Sequence, residues 1–266
     1  MNLSISDIKE IVYVVSSFEN MNYSGYTISF LKRRFSKIFD MLNIRKIAQF
    51  YEMIGDADVR DKVIGELFVD DTEMFRDPSF WRYMRDNILN QLPAGSTIWL
   101  TDESSGEEVF SLSIILKEKQ LTDKLKILCN NPSKMCCNNI KNGILKIANF
   151  EINSLNYKRL EDNDFFDNYF SPNNYVYKAS QEIVNNIKCK QAHYTKTVEQ
   201  EKISMIFTRN QALYYNLKYS EQYFNTLYKI LNPGGFLAIG VKEILPQTIE
   251  DKMIAVSEQE KIYKKI

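Results

Sequence analysis

The sequence predicts an α/β protein in which a small, all-helical N-terminal domain precedes a doubly wound, mostly parallel sheet with a small antiparallel β insertion. Apolar residues recur at helical spacing through roughly the first 65 residues. Short strand-like runs alternate with helical stretches from residue 95 onward, and this alternation breaks between residues 150 and 190. We place the helical domain at residues 1–67 and the sheet domain at residues 68–266.

The N-terminal segment is predicted to form four helices. The first carries apolar residues from Ile5 to Val15, with Ser4 or Ser6 as its N-cap. The second, from Thr27 to Leu42, is apolar on one face and basic on the other, and two short helices are expected at residues 44–53 and 58–68. The basic face carries Lys32, Arg33, Arg34 and Lys37.

Four short apolar runs are predicted strands of one parallel sheet. They are residues 96–100, 125–129, 203–207 and 236–240, with helices expected over residues 107–119 and up to Leu231. In such a sheet, ligands bind at the carboxyl ends of the strands. The turns that follow Leu100, Cys129 and Phe207 are therefore the expected site.

Composition excludes several classes of protein. Lys plus Arg and Asp plus Glu are 34 each, which argues against a nucleic-acid binder held mainly by phosphate contacts. No apolar run approaches the roughly 18 residues of a membrane span, and residues 1–10 lack the pattern of a signal peptide. We expect a cytoplasmic protein that does not insert into a membrane.

Metal and histidine chemistry are not expected. The 4 cysteines show no C-x-x-C spacing, so a structural zinc site is not predicted. The only histidine, His193, is expected on a loop or at the surface. Carboxylates, arginines, tyrosines and a bound cofactor are left to supply the chemistry.

Four stretches resemble one protein family in the same order along the chain. They are FVDDTEMFRDPSF (68–80), WLTDESSGEEVFS (99–111), MIFTRNQALYY (205–215) and LNPGGFLAIGVKEIL (231–245). They are similar to the segments N-x-T-x-F-F-R-D, W-S-A-x-x-S-T-G-E-E-x-Y-S, I-F-C-R-N-x-x-I-Y-F and L-x-P-G-G-x-L-x-x-G-x-S-E of the chemotaxis-receptor glutamate methyltransferases, the CheR family. The resemblance extends over nearly the whole chain.

The resemblance implies a Rossmann-like methyltransferase sheet and an S-adenosylmethionine-dependent protein-glutamate O-methyltransferase. Such an enzyme forms glutamyl methyl esters on receptors and releases S-adenosylhomocysteine. The reaction requires mainly that a carboxylate oxygen be aligned with an already activated methyl group. Arg76 matches the family position suited to hold the acceptor carboxylate through its two-pronged guanidinium, and Tyr214 is expected to line the transfer site.

The same resemblance implies a set of cofactor contacts, some of them altered. A carboxylate normally ends the second strand and binds the ribose hydroxyls, whereas here Asn131, or else Asn130, occupies that position. Asp70 and Gln191 each replace an Asn, and Asp102 and Glu103 stand where the family has small residues. The predicted cofactor-binding residues are Asp70, Thr72, Arg76, Thr101, Glu107, Asn131, Gln191, Ala192, Arg209 and Asn210.

Two further expectations concern partners and activity. In the family the helical domain faces an acidic helical region of the receptor, so Lys32, Arg33, Arg34 and Lys37 are predicted to bind it, although a solvated helix face would show the same charges. The protein is expected to be a monomer. Because the departures concentrate in the cofactor pocket, the alternative is a catalytically decayed protein that acts as a receptor-binding adaptor. A third option is a methyltransferase for another acidic acceptor.

Overall fold

The computed structural model describes residues 3–67, 72–101, 105–161, 165–197 and 203–266. Four helices come first: α1 (Ile5–Val15), α2 (Ile28–Met41), α3 (Ile47–Met53) and α4 (Ala57–Leu67). Ser4 caps α1 as predicted, because its hydroxyl accepts a hydrogen bond from the Asp7 amide at 3.1 Å. The four helices enclose an apolar cluster that includes Phe35, Phe39 and Phe50.

Within the described ranges, the main sheet has seven strands. In chain order they are β1 (Ser96–Leu100), β2 (Leu125–Asn131), β6 (Ile187–Gln191), β7 (Ile203–Thr208), β8 (Phe236–Ile239), β9 (Met253–Ser257) and β10 (Ile262–Lys265). Their spatial order is β6-β2-β1-β7-β8-β10-β9. The pairs among β6, β2, β1, β7 and β8 are parallel, and β10 runs antiparallel to both its neighbours. The predicted doubly wound, mostly parallel sheet is confirmed.

Helices cover both sides of this sheet. They are α5 (Pro78–Tyr83), α6 (Glu107–Glu118), α7 (Lys134–Lys141), α8 (Phe150–Glu161), α9 (Gln181–Val184), α10 (Tyr194–Thr197), α11 (Leu217–Ile230) and α12 (Gln247–Glu250). A π-helical turn over Met84–Ile88 and a 3-10 turn over Leu89–Gln91 extend α5 toward β1. No helix among the described residues is both long and apolar enough to cross a membrane.

The antiparallel insertion differs in extent from the prediction. Strands β3 (Ile144–Lys146), β4 (Phe170–Asn173) and β5 (Val176–Ala179) form a three-stranded sheet in the order β3-β5-β4. It therefore begins before residue 150, contains the helix α8, and ends before β6. Strand β6 lies at the edge of the main sheet, where Lys188 is exposed, so its sequence lacks the continuous apolar run of a central strand.

Two sets of hydrogen bonds fix the helical domain to the sheet domain, in addition to a surface ion pair between Lys196 and Glu19. The carboxylate of Asp61 in α4 accepts hydrogen bonds from the backbone amides of Lys134 and Met135 at 2.6 and 2.8 Å, at the first turn of α7. Residues 25–27 pair with residues 214–216 through two backbone hydrogen bonds of 2.8 Å each. The helical domain thus contacts the sheet domain near the ends of β2 and β7.

Candidate functional site

The order of the strands reverses at the centre of the sheet. The chain runs outward from β1 through β2 to β6, and then returns to place β7 on the other side of β1. This reversal is the position at which open α/β sheets bind ligands, beyond the carboxyl ends of the strands. Thr101 and Thr208 mark that edge, and the hydroxyl of Tyr223 lies between their hydroxyls, 2.7 and 2.6 Å away. The buried Thr101 is therefore part of the floor of the site.

A glycine directly precedes α6. Gly106 is the N-cap of α6 and has a left-handed φ of 100°, which favours glycine. A Cβ atom at this position would lie 2.7 Å from the ring of Phe110. The backbone of Gly106 therefore packs closely against the first turn of α6, and the positive end of the helix dipole faces the site.

Glu107 is buried directly after this glycine. Its Oε2 accepts hydrogen bonds from the hydroxyls of Thr72, at 2.7 Å, and of Ser105. Its Oε1 has no hydrogen-bond partner among the described residues, and burial raises the pKa of the carboxyl. A buried acceptor without a partner fits a cationic group of a ligand, such as the ammonium of a methionine moiety. Thr72 and Glu107, which are both in the predicted cofactor set, are thus in direct contact.

The structure separates the two asparagines that end β2. Asn130 is held inside the protein, where its Oδ1 accepts a hydrogen bond from Trp99 Nε1 at 2.8 Å and its Nδ2 donates to the carbonyl of Ala192 at 3.1 Å. Asn131 is the last residue of β2, and its Oδ1 accepts from the Ser133 amide at 2.6 Å. Asn131 therefore remains the candidate for ribose recognition, and Asn130 is a structural residue.

The end of β6 lies beside Asn131. The amide of Ala192 donates to the Asn131 carbonyl at 3.1 Å, and Nε2 of Gln191 lies 3.4 Å from the carbonyl of Pro132. Ala192 and Gln191 thus flank the end of β2, and their contact with the cofactor stays a prediction. His193 follows them, half-buried, and burial lowers its pKa to about 4. It is consequently neutral near pH 7, and with so low a pKa its imidazole is a weak base.

Arg209 directly follows β7. Its side chain is buried, and its two terminal nitrogens lie 2.9 Å from Glu108 Oε1 and 2.5 Å from Asp77 Oδ2. Its guanidinium also lies 4.0 Å from the centre of the Phe80 ring. Arg209 thus joins α5, α6 and the end of β7 through its two terminal nitrogens, whereas its buried Nε has no hydrogen-bond partner among the described residues. Its predicted contact with the cofactor stays a prediction.

Arg76 projects from a sharply bent backbone. Its neighbours Phe75 and Asp77 both have left-handed φ angles, 52° and 58°, and the Arg76 side chain is exposed. The amide of Phe75 donates to Ser111 Oγ at 2.9 Å, and the same hydroxyl donates to the Glu107 carbonyl at 2.6 Å. One serine of α6 therefore ties the backbone beside Arg76 to the backbone of Glu107.

Asn210 lies after the end of β7 and is supported by a residue outside the predicted set. Asn210 has a left-handed φ of 63°. The buried carboxylate of Glu243 accepts hydrogen bonds from the amides of Asn210 at 2.9 Å and Ala212 at 2.7 Å, and from that of Gly240. Glu243 belongs to the stretch 231–245 that carries the family resemblance, which was the signal available to find it.

Tyr214 lies in a 3-10 turn, Ala212–Tyr214, and touches the helical domain. Its ring stacks on Phe30 of α2, with the ring centres 4.5 Å apart. Its carbonyl accepts a hydrogen bond from the Thr27 amide at 2.8 Å. The predicted transfer-site tyrosine is therefore located at the contact between the two domains.

The predicted basic face of α2 is smaller than expected. Arg34 is 8% exposed and its guanidinium donates to the carbonyl of Glu66, so it holds α2 against α4. Lys37 lies 3.1 Å from the Glu66 carboxylate, although half of its side chain is exposed. Arg33 is exposed and Lys32 is half-buried. Arg34 is therefore removed from the set of partner-binding residues, because burial takes its charge away from the surface.

Three predicted positions, Asp70, Asp102 and Glu103, lie outside the described residues. The described residues also contain no group of three or more His, Cys, Asp or Glu side chains that could hold a metal ion.

Comparison with known proteins identifies the family. The family model described as "CheR methyltransferase, SAM binding domain" matches residues 70–262. The chain belongs to this CheR family. It is therefore a methyltransferase that uses S-adenosylmethionine, and the unpartnered oxygen of Glu107 and the last residue of β2 are the groups that would hold this cofactor.

Curated relatives agree with the CheR assignment at low identity. "Putative methyltransferase Cher3" of Pseudomonas putida is 23% identical over 99% of this chain and 97% of that protein. "Chemotaxis protein methyltransferase" of Borreliella burgdorferi is 21% identical over 92% of this chain and 90% of that protein. "Chemotaxis protein methyltransferase 2" of Vibrio cholerae is 28% identical over 68% of this chain and 64% of that protein.

Solved structures add little to the assignment to the CheR family. "StiE O-MT residues 961-1257" aligns with a TM-score of 0.35 at 11% identity, covering 73% of this chain and 50% of that chain. A similarity of this size carries no weight in the fold assignment, which rests on the sheet order and the family match.

Proposed function

We propose that this CheR-family protein methylates glutamate side chains of a chemotaxis-type receptor and forms glutamyl methyl esters. The observation that carries the proposal is the pair of hydrogen bonds made by the Ser111 hydroxyl. They connect the backbone of the buried Glu107 to the backbone beside the exposed Arg76. Glu107 offers a carboxylate to the cofactor, and Arg76 offers a guanidinium to an acceptor carboxylate. The names of the curated relatives support the chemotaxis context.

The residues have separable roles in this proposal. Bound S-adenosylmethionine supplies a methyl group on a positively charged sulfur, which a carboxylate oxygen can take without proton transfer. Glu107 binds the cofactor ammonium through the oxygen that lacks a protein partner. Asn131 contacts the ribose, and Gln191 and Ala192 line the adenine side. Arg76 orients the acceptor carboxylate, because a guanidinium binds two oxygens in a fixed plane.

Tyr214 completes the proposed acceptor side. It lies four residues beyond Asn210, on the segment that Glu243 fixes through the amides of Asn210 and Ala212. A half-buried aromatic ring in this position excludes water from the acceptor carboxylate and raises its reactivity. Because a methyl transfer of this kind needs alignment and desolvation rather than a base, a neutral His193 is compatible with the reaction.

The acceptor is proposed to be an acidic helical region of the receptor that lies along α2. Lys32, Arg33 and Lys37 remain on or near the surface of that helix, and complementary charge accelerates encounter with an acidic partner. We further propose that the protein acts as a cytoplasmic monomer. Size-exclusion chromatography with light scattering tests the monomer, and a dimer at working concentration contradicts it.

The adaptor alternative is not favoured, because the family that matches is a methyltransferase with a cofactor-binding domain. Calorimetric titration with S-adenosylmethionine and S-adenosylhomocysteine separates the two hypotheses. We expect binding in the micromolar range, followed by base-labile transfer of a labelled methyl group to receptor fragments from the source organism. Receptor fragments in which the candidate glutamates are changed to alanine serve as the control. If no binding is detected at millimolar ligand, the adaptor hypothesis is favoured over the enzyme.

A further inference from the structure

The helical domain and the segment that carries Tyr214 share a short antiparallel pairing. The Thr27 amide donates to the Tyr214 carbonyl, and the Asn216 amide donates to the Gly25 carbonyl, each at 2.8 Å. Between them, Tyr26 and Tyr215 form a β-bridge. The backbone of Tyr214 is therefore bonded to the loop that leads into α2 as well as to its own domain.

Side-chain stacking reinforces this pairing. The rings of Phe30 and Tyr214 are 4.5 Å apart at 29°, and the rings of Tyr26 and Tyr215 are 4.9 Å apart at 90°. Phe30 is only 4% exposed and belongs to the apolar cluster of the helical domain. Its ring cannot shift without disturbing that cluster, so it offers Tyr214 a rigid surface.

The same contacts continue to the floor of the site. Tyr215 packs against Tyr223 at 5.2 Å between ring centres, and the Tyr223 hydroxyl bonds to Thr101 and Thr208 at the ends of β1 and β7. Gly25 is needed for the close approach, because a Cβ atom there would meet the ring of Tyr219. The aromatic contacts thus run without interruption from α2 to the reversal point of the sheet.

We propose that Phe30 is a positioning residue for Tyr214, so that the helical domain sets the geometry of the acceptor side of the transfer site. The inference rests on the proposed function in one respect, which is that Tyr214 lies beside the methyl group that is transferred. Arg33, on the proposed receptor-facing side of α2, lies 5.9 Å from the centre of the Phe30 ring. A receptor segment that engages Arg33 would therefore bind a side chain that lies over the ring that holds Tyr214.

The first test measures the pairing without cofactor or acceptor. Phe30→Leu keeps an apolar side chain of similar size but removes the stack on Tyr214. Hydrogen exchange of the Thr27 and Asn216 amides should accelerate about tenfold in this variant, because both amides are bonded only across the pairing. Phe39→Leu is the matched control, since Phe39 is equally buried in α2 but packs on Phe50. It should leave both amides unchanged.

The second test measures turnover. A misplacement of about 1 Å can reduce the rate up to a hundredfold. Phe30→Leu should therefore lower kcat about tenfold, whereas the KM for receptor and the Kd for S-adenosylmethionine should not change. Phe30→Tyr should keep the wild-type kcat because it retains the stack on Tyr214. If Phe30→Leu does not fold, Tyr214→Leu provides the reciprocal measurement and should accelerate exchange at Thr27.

The two tests separate the inference from the proposed function. Unchanged exchange in Phe30→Leu, or equal acceleration in Phe39→Leu, overturns the positioning role. Accelerated exchange with unchanged kcat also overturns it, because the pairing would then not matter for transfer. A wild-type protein that binds cofactor but methylates no receptor contradicts the proposed function alone, and exchange then still decides whether Phe30 holds Tyr214.

Discussion

Nη2 of Arg209 lies 2.5 Å from Oδ2 of Asp77, and this contact joins the end of β7 to the start of α5. Asp77 has a left-handed φ of 58° and directly follows Arg76, so the ion pair stabilises the bend from which Arg76 projects. The other terminal nitrogen of Arg209 reaches Glu108 in the first turn of α6. Arg209 therefore holds together the segments that form the site, and its predicted contact with the cofactor stays a prediction.

Arg209→Met should destabilise the fold. Removing one partner of a buried ion pair costs about 3–5 kcal/mol, and we expect about 3 kcal/mol because Asp77 and Glu108 are 39% and 21% exposed. Urea denaturation measures the loss. Lys196→Met is the control, since Lys196 pairs with Glu19 at the surface and should change stability by less than about 1 kcal/mol. Equal stability of Arg209→Met and wild type would contradict the joining role.

Arg76→Ala should abolish methyl transfer and leave cofactor affinity reduced but measurable. The exposed guanidinium is the proposed partner of the acceptor carboxylate, and truncation to alanine leaves the backbone bend intact. Methyl incorporation and calorimetry measure the two effects. Arg82→Ala, an exposed arginine of α5 that donates to the Arg159 carbonyl, should retain activity. Unchanged turnover of Arg76→Ala would remove Arg76 from the mechanism.

Much of the fold could be predicted because its central strands are buried on both faces. Strands β1, β7 and β8 are mainly apolar and buried along their whole length, and Gly106 and the turn at residues 232–235 mark the ends of elements. Edge strand β6 alternates apolar residues with lysine, and α8 lies in an aromatic region without clear periodicity. Both were missed because their local pattern is weak and tertiary packing decides their structure.

The carboxyl ends of the strands and the resemblance together indicate Glu107, Asn131 and Arg76 as site residues, and their roles stay predictions. The pairing of charged side chains was not predictable. The sequence does not reveal which charges neutralise one another, so Arg34 and Arg209 looked available although the fold places them against Glu66 and Asp77. Such pairings depend on contacts between residues 32 or more positions apart, which local pattern does not encode.

Glu107→Gln should flatten the dependence of stability on pH. Burial raises the pKa of Glu107 above its ordinary value of 4.5, so between these two values the folded state binds more protons than the unfolded state. The free energy of unfolding therefore falls as pH rises from 4.5, until the folded carboxyl is ionised. Glutamine removes this contribution while keeping the shape. Urea denaturation of the cofactor-free protein from acidic to neutral pH measures the slope.

Glu221→Gln, at an exposed position, is the control for that experiment and should leave the slope of stability against pH unchanged. Wild type and Glu107→Gln with identical slopes would show that Glu107 titrates alike in both states. Because burial also raises the pKa of Glu243, some fall of stability with pH should remain in Glu107→Gln. We therefore predict that stability falls less steeply with pH in Glu107→Gln than in wild type, and that some dependence on pH remains.

Asn131→Asp should tighten the binding of S-adenosylmethionine. Asn131 already accepts the Ser133 amide through one oxygen, and a carboxylate would keep that bond and offer a second acceptor to the ribose hydroxyls. A hydrogen bond to a charged group contributes about 1.5–3 kcal/mol, so the Kd should fall about tenfold or more, as measured by calorimetry. Asn130→Asp is the matched control. It should not tighten binding and should destabilise the protein, because aspartate cannot donate to the Ala192 carbonyl. Tightening by Asn130→Asp instead would assign ribose recognition to residue 130, and no change in either variant would place it elsewhere.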